Sequence, residues 1–110
     1  WEKAARGTDS RRYPLGDAAP DFSLANYAAA LGRTAPVGSL PAGASPYGAL
    51  DMAGNVAEWT ATKVEFAGDR YVRGGSWYEL AGSLPALYNM FYPPDRRMNI
   101  LGLRLVVTLD

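Results

Sequence analysis

The sequence predicts a loop-rich α+β domain, and three observations carry that prediction. Turn-forming residues crowd positions 8–49, the first seven residues have helical spacing that ends on a glycine, and two stretches, 71–77 and 101–109, have strand character. In Trp1-Glu2-Lys3-Ala4-Ala5-Arg6-Gly7, Trp1, Ala4 and Ala5 share one face, the basic residues fall late, and Gly7 is placed as a left-handed cap. A helix that opens on an anchoring tryptophan at residue 1 leads us to expect a preceding segment. Residues 1–110 are therefore read as a single domain and as the C-terminal part of a larger native one.

From Thr8 to Ala49, Tyr13-Pro14-Leu15-Gly16-Asp17, Ala35-Pro36-Val37-Gly38-Ser39 and Ala42-Gly43-Ala44-Ser45-Pro46 are successive turn signals. So long an irregular stretch in a small domain is expected to be packed by its aromatics rather than disordered. Asp51 to Thr60 reads as a helix fragment, with Met52, Val56 and Trp59 at helical spacing and Gly54-Asn55 as an interrupting turn. Tyr71-Val72-Arg73 reads as a strand that breaks or bulges at Gly74-Gly75 and resumes at Ser76-Trp77. The last segment alternates, with Leu101, Leu103, Leu105, Val107 and Leu109 on one side and Gly102, Arg104, Val106 and Thr108 on the other. Between these strands, residues 78–99 form an aromatic-rich excursion without a period. The expected core is Trp1, Trp59 and Trp77 with Met52, Val56, Leu103 and Leu105.

Composition narrows the chemistry. With no cysteine and no histidine, the chain can build no disulfide, thiolate nucleophile, Cys/His zinc site or Ser-His-Asp triad. Eleven basic residues balance eleven acidic ones, so the overall field offers nucleic acid or an anionic membrane nothing to bind. No run approaches the ~20 apolar residues of a membrane span, and the opening residues lack the apolar centre of a secretory signal. No nucleic-acid partner and no membrane insertion are expected.

Several residues could still carry chemistry. Gly74-Gly75-Ser76 lacks the following lysine of a phosphate loop and reads as a bulge. Asp51, Glu58 and Asp69 could supply an acid/base pair or be ordinary carboxylates. Arg96-Arg97 could grip a phosphate or form a solvated tip. The Gly54-Asn55-Val56 turn presents backbone carbonyls beside Glu58, a hard-oxygen set of the kind Ca²⁺ takes, or it is a tight turn with a surface glutamate. Arg104, inside an apolar run, is either an edge residue or half of a buried pair with a carboxylate, and a buried, structural pair with Glu58 or Asp51 is expected.

Trp1 to Gly7, Arg12-Tyr13-Pro14-Leu15-Gly16-Asp17, Asn26, Thr34 to Ser39, Tyr47 to Thr60, Val72-Arg73-Gly74-Gly75-Ser76-Trp77 and Leu101-Gly102-Leu103-Arg104 together resemble the formylglycine-generating-enzyme (sulfatase-modifying factor) family. That resemblance implies a C-type-lectin-like fold with a small twisted antiparallel sheet, the segment before Trp1 being absent. It also implies structural calcium at Gly54, Asn55, Val56 and Glu58, and leaves doubtful a second site near Asn26, whose acidic partner is absent. The sequence departs from the family pattern at Leu15, Ala57 and Leu103, where larger aromatics are usual. Catalytic members bind copper through paired cysteines; none is present, so neither copper nor the oxidase activity is expected of this chain.

Residues 78–99 lie where the non-catalytic variable proteins of diversity-generating retroelements, in the same fold, carry their hypervariable segment. On that resemblance the expected function is ligand display, at a cell surface or virion, with an exposed aromatic patch binding a protein through Tyr78, Glu79, Leu80, Ser83, Tyr88, Met90, Phe91, Tyr92, Arg96 and Met98. Glu79, Met90 and Met98 are not products expected of adenine mutagenesis of an asparagine codon. The alternative is an oxidase or ergothioneine-synthase-like domain whose catalytic groups lie outside the chain, in a missing segment or a partner chain.

Overall fold

A computed structural model describes residues 1–109 and shows a loop-rich α+β fold built on one short helix and a four-stranded sheet. Helix α1 spans Glu2–Arg6 and ends where Gly7 takes φ 64° and donates its N–H to the Lys3 carbonyl at 2.9 Å. The strands are β1 (Ala57–Lys63), β2 (Arg70–Arg73), β3 (Asn89–Tyr92) and β4 (Leu101–Gly102), in the spatial order β3-β2-β1-β4. β1 pairs antiparallel with β2, placing Glu58 opposite Arg73 and Trp59 opposite Val72, and β2 pairs antiparallel with β3. The radius of gyration, 13.3 Å, is that of a folded chain of ~100 residues, so the irregular segments are packed onto the body.

The core sits under the loops. One cluster joins Tyr13, Ala25, Tyr27, Ala53 and Leu84; a second joins Ala5, Met52 and Ala86, with Trp1, Ala4 and Ala49 against it. The 8–49 stretch is packed by its aromatics, as its composition predicts: Tyr13 and Tyr27 are buried, and the Tyr27 hydroxyl donates to the Pro20 carbonyl at 2.8 Å.

Several sequence expectations are corrected. Residues 51–60 form no helix: Asp51, Gly54 and Asn55 have φ of 56°, 76° and 66°, which a right-handed helix excludes, and β1 begins at Ala57. Gly54 is needed for more than its φ, because a Cβ there would overlap the Asn26 carbonyl oxygen. The strand broken at Gly74 (φ 97°) and Gly75 (φ 68°) does not resume at Ser76-Trp77. Of the alternating C-terminal run, only Leu101-Gly102 joins the sheet, and it pairs parallel to β1 where the expected sheet is antiparallel. There Gly102 lets the chain pass Val56, whose Cγ2 would lie 2.6 Å from any Cβ.

Leu103 and Leu105, expected in the core, are exposed. Alternation sets which way side chains point but provides no partner ladder, and among the described residues none stands beside 103–109. All three tryptophans and Val56 are half-buried, while Met52 is fully buried as expected. The excursion 78–99 is part core and part sheet, contributing Leu84, Ala86 and β3.

Candidate functional site

Two polar networks flank the Gly54-Asn55 turn, and a pocket lies beside the second of them at Asn26 and Ala35. In the first network Glu58, on β1 and 4% exposed, accepts from the Trp1 indole N–H at 2.8 Å through Oε2. Arg104 grips the same carboxylate with two groups, Nε to Oε2 at 3.1 Å and Nη2 to Oε1 at 2.7 Å, and also donates to the Leu50 carbonyl. The expected Arg104–Glu58 pair is therefore present, and its hydrogen bonds raise the pKa of Arg104. Asp51 lies outside the pair, accepting from the Gly38 N–H at 2.7 Å. Arg73 continues the network, lying 5.9 Å from the Trp1 ring centre and bridging the Ala86 carbonyl and Glu2. Helix, sheet and the residues after β4 are thereby tied at one carboxylate.

The second network joins Asn26 and Asn55. Asn26 Nδ2 donates to the Arg33 carbonyl at 3.0 Å and to Asn55 Oδ1 at 3.2 Å; Asn55 Oδ1 also accepts from the Ala35 N–H at 2.8 Å. The Asn55 backbone donates to the Asn26 carbonyl and accepts from Trp77 N–H, and Gly54 N–H donates to the Gly74 carbonyl. The sequence signal for this network was faint: Asn26 sits between Ala25 and Tyr27, and a buried amide must find partners.

These bonds bear on the metal expectations. Both oxygens of Glu58 hold Arg104, and the Asn55 carbonyl and side-chain oxygen already accept from protein donors. Val56 is half-buried beside them. A Ca²⁺ at Gly54, Asn55, Val56 and Glu58 would share its one carboxylate with the Arg104 guanidinium, so ion and ion pair would compete for Glu58. Copper has no cysteine pair to hold it, and among the described residues no three His, Cys, Asp or Glu residues are grouped for a metal.

The remaining predicted site residues are spread out. Tyr78 is exposed and edge-on to Trp77, Leu80 is exposed, and Ser83 ends a 3-10 turn spanning Ala81–Ser83. On β3, alternation turns Phe91 toward Tyr71 and Tyr92 toward Trp59, each as an edge-on pair with a different neighbour. Met90 is half-buried beneath the Tyr92 hydroxyl, and Tyr88, Arg96 and Met98 are exposed. Glu79 is half-buried; its Oε2 has no partner, and its charge, after burial, helps push the Tyr92 phenol above its ordinary pKa. At Asp69 the backbone carbonyl closes the β1–β2 turn by accepting from Val64 N–H.

Among the described residues the expected aromatic binding patch is not assembled: the rings pair off separately instead of clustering, because a strand sends neighbouring side chains to opposite faces. No helix among the described residues is long and apolar enough to cross a membrane.

Beside Asn26 lies an open pocket of 380 Å³ walled by Phe22, Leu31, Pro36, Leu40 and alanines, with Asn26 and Ser39 as its polar members.

Residues 1–109 match the family described as sulfatase-modifying factor enzyme 1-like domain. A hercynine oxygenase from Mycolicibacterium thermoresistibile is 38% identical over an alignment that takes in 100% of this chain and 30% of that protein. The solved structure of CarF superposes with a TM-score of 0.80 at 31% identity, covering 100% of this chain and 44% of that one. Treponema denticola variable protein 1 gives a TM-score of 0.78 at 27% identity, covering 94% and 43%. The chain therefore spans less than half the length of each relative.

These findings overturn the display reading. The fold is shared with a variable protein, but the stronger sequence identity, over the whole chain, is to a protein named as an oxygenase. The aromatic surface that display would need is not assembled.

Proposed function

Because the chain belongs to the sulfatase-modifying factor enzyme 1-like family, we propose that it is the framework of an enzymatic domain of the hercynine-oxygenase type, acting on hercynine or a related small substrate. The observation that carries this reading is the 38% identity to hercynine oxygenase across the entire chain. The chain contains no cysteine or histidine, and Glu58, the most buried carboxylate among the described residues, is held by Arg104 and Trp1. The oxygen-activating groups of such an enzyme would therefore come from outside residues 1–109. The part assigned to this chain is positional: the Glu58 network locks β1 and β2 to α1, which holds the loops around them in place.

A chimera tests it. Residues 1–109 replace the aligned segment of the Mycolicibacterium thermoresistibile hercynine oxygenase, and oxygen-dependent consumption of hercynine is measured. Small misplacements of a reacting group cost about 100-fold in rate, so activity within about 100-fold of the parent is expected. A soluble, cooperatively folding chimera without turnover would overturn the reading.

A further inference from the structure

We propose that the pocket beside Asn26 binds an uncharged small molecule whose apolar ring carries one O–H or N–H donor. The inference is independent of the oxygenase reading.

Asn26 is 7% exposed, and both hydrogens of its amide are spent, on the Arg33 carbonyl and on Asn55 Oδ1. Asn55 is oriented in turn by the Ala35 backbone, which donates to its Oδ1 and accepts from its Nδ2. Turning the Asn26 amide over would set its oxygen against two acceptors, so the orientation is determined by the network. Its Oδ1 therefore faces away from Arg33 and Asn55, and among the described residues it accepts no hydrogen bond. It is not among the sealed, partnerless side-chain atoms of the fold, so it opens to solvent, and the space that Asn26 lines is the pocket. A ligand that fills the pocket cuts this oxygen off from water, so one that offers it a donor gains about 1 kcal/mol over one that does not.

The walls select the rest of the ligand. Phe22, Leu31, Pro36 and Leu40 give an apolar lining, and no charged side chain takes part. An ionised ligand would lose hydration there without compensation. Water in the pocket finds only Asn26 Oδ1 and Ser39 as protein partners, where ordered waters usually make ~3 hydrogen bonds, so a ligand displaces it readily. The 380 Å³ volume falls in the range of small-molecule sites, ~300–1,000 Å³. An apolar ring against Phe22 and Leu40, with its donor on Asn26 Oδ1, satisfies each feature at once.

The test is a titration of the ¹⁵N-labelled protein with phenol, toluene and benzoate, followed by NMR. Phenol is expected to give saturable shifts at the amides of Ala30, Leu31 and Leu40 and to bind about fivefold tighter than toluene, the ratio set by one neutral hydrogen bond. Benzoate is expected not to saturate. Ala30→Trp and Leu40→Trp fill the pocket from its walls and leave the asparagine network untouched; whichever retains a native-like spectrum should lose phenol binding. Equal affinity for phenol and toluene, saturable shifts confined elsewhere, no saturable shift at all, or unchanged phenol affinity in a native-like pocket-filled variant would each overturn the proposal.

Discussion

At Glu58 one side chain joins three distant parts of the sequence. Trp1 lies 57 positions and Arg104 46 positions away, and both meet a carboxylate that is nearly inaccessible to water. Replacing it with glutamine leaves the Arg104 guanidinium facing a neutral amide. Breaking a fully buried pair costs ~3–5 kcal/mol, but Arg104 keeps 34% of its side chain in solvent, so the expected loss for Glu58→Gln is about 2 kcal/mol. Thermal unfolding should then fall by roughly 10 °C; a fall under about 2 °C would show that the pair is marginal. Since Arg104 holds both oxygens, chelation should leave the melting temperature unchanged, and a drop on adding EDTA would show that calcium competes for Glu58.

Tyr92 gives a second test at the same scale. Burial chiefly, and then the charge of Glu79, raise its pKa above 10.0, against the opposing pull of Arg96. A folded-state pKa above the unfolded one means stability that is intact below pH ~10 and lost as the pH rises through the folded value. Ultraviolet titration should find a phenol that ionises above the ordinary tyrosine range, absent in Tyr92→Phe and titrating earlier in Glu79→Gln. An unchanged curve in Glu79→Gln would remove the glutamate from the account. The Arg104 pairing was legible in the sequence, because a guanidinium in an apolar run must find a carboxylate. The Trp1 bond was not, since nothing local announces an indole donor so far along the chain.

Among the elements, β2 was legible because Tyr71-Val72-Arg73 has strand chemistry and a glycine stop, and α1 because its cap stands at Gly7. The segment 51–60 misled because Met52, Val56 and Trp59 satisfy a helical period that Gly54 and Asn55 then break with positive φ. β3 was hidden in a stretch whose four strand residues are too few to display a period. The C-terminal run misled in the opposite sense. Its alternation is real, but after Gly102 it leaves β1, and Leu105, Val107 and Leu109 are each more than three-quarters exposed. Hydrogen exchange should therefore be slow at Trp59 and Val72, which face each other in the β1–β2 pairing, and close to free-chain rates from 105 to 109. Truncation after Arg104 should keep the Glu58 pair and change stability by less than about 0.5 kcal/mol. Protected tail amides, or a clear destabilisation on truncation, would show that the run packs in solution.

At the scale of the whole molecule, the two core clusters draw heavily on alanines, so much of the large apolar surface remains outside. Leu103, Leu105, Val106, Val107 and Leu109 stand exposed in one extended run, unpaired among the described residues, and the chain carries no net charge to oppose association. Proteins with open strand edges usually guard them with charges, prolines or bulges. In this run Arg104 is the sole charge within 103–109, and it is turned inward onto Glu58. An unguarded, extended apolar run in a neutral molecule is a template for pairing with a strand, whichever chain supplies it. The protein at pH near 6.4, its isoelectric point, should therefore self-associate as its concentration rises, more weakly as the pH moves away and charge accumulates. Light scattering after gel filtration should return mass to that of a monomer when the chain is truncated after Arg104. Were the full chain to remain monomeric at its isoelectric point, or the truncated one to associate as readily, the exposed run would not be the source. The surface responsible would then have to be sought among the scattered rings at Phe66, Tyr78 and Phe91.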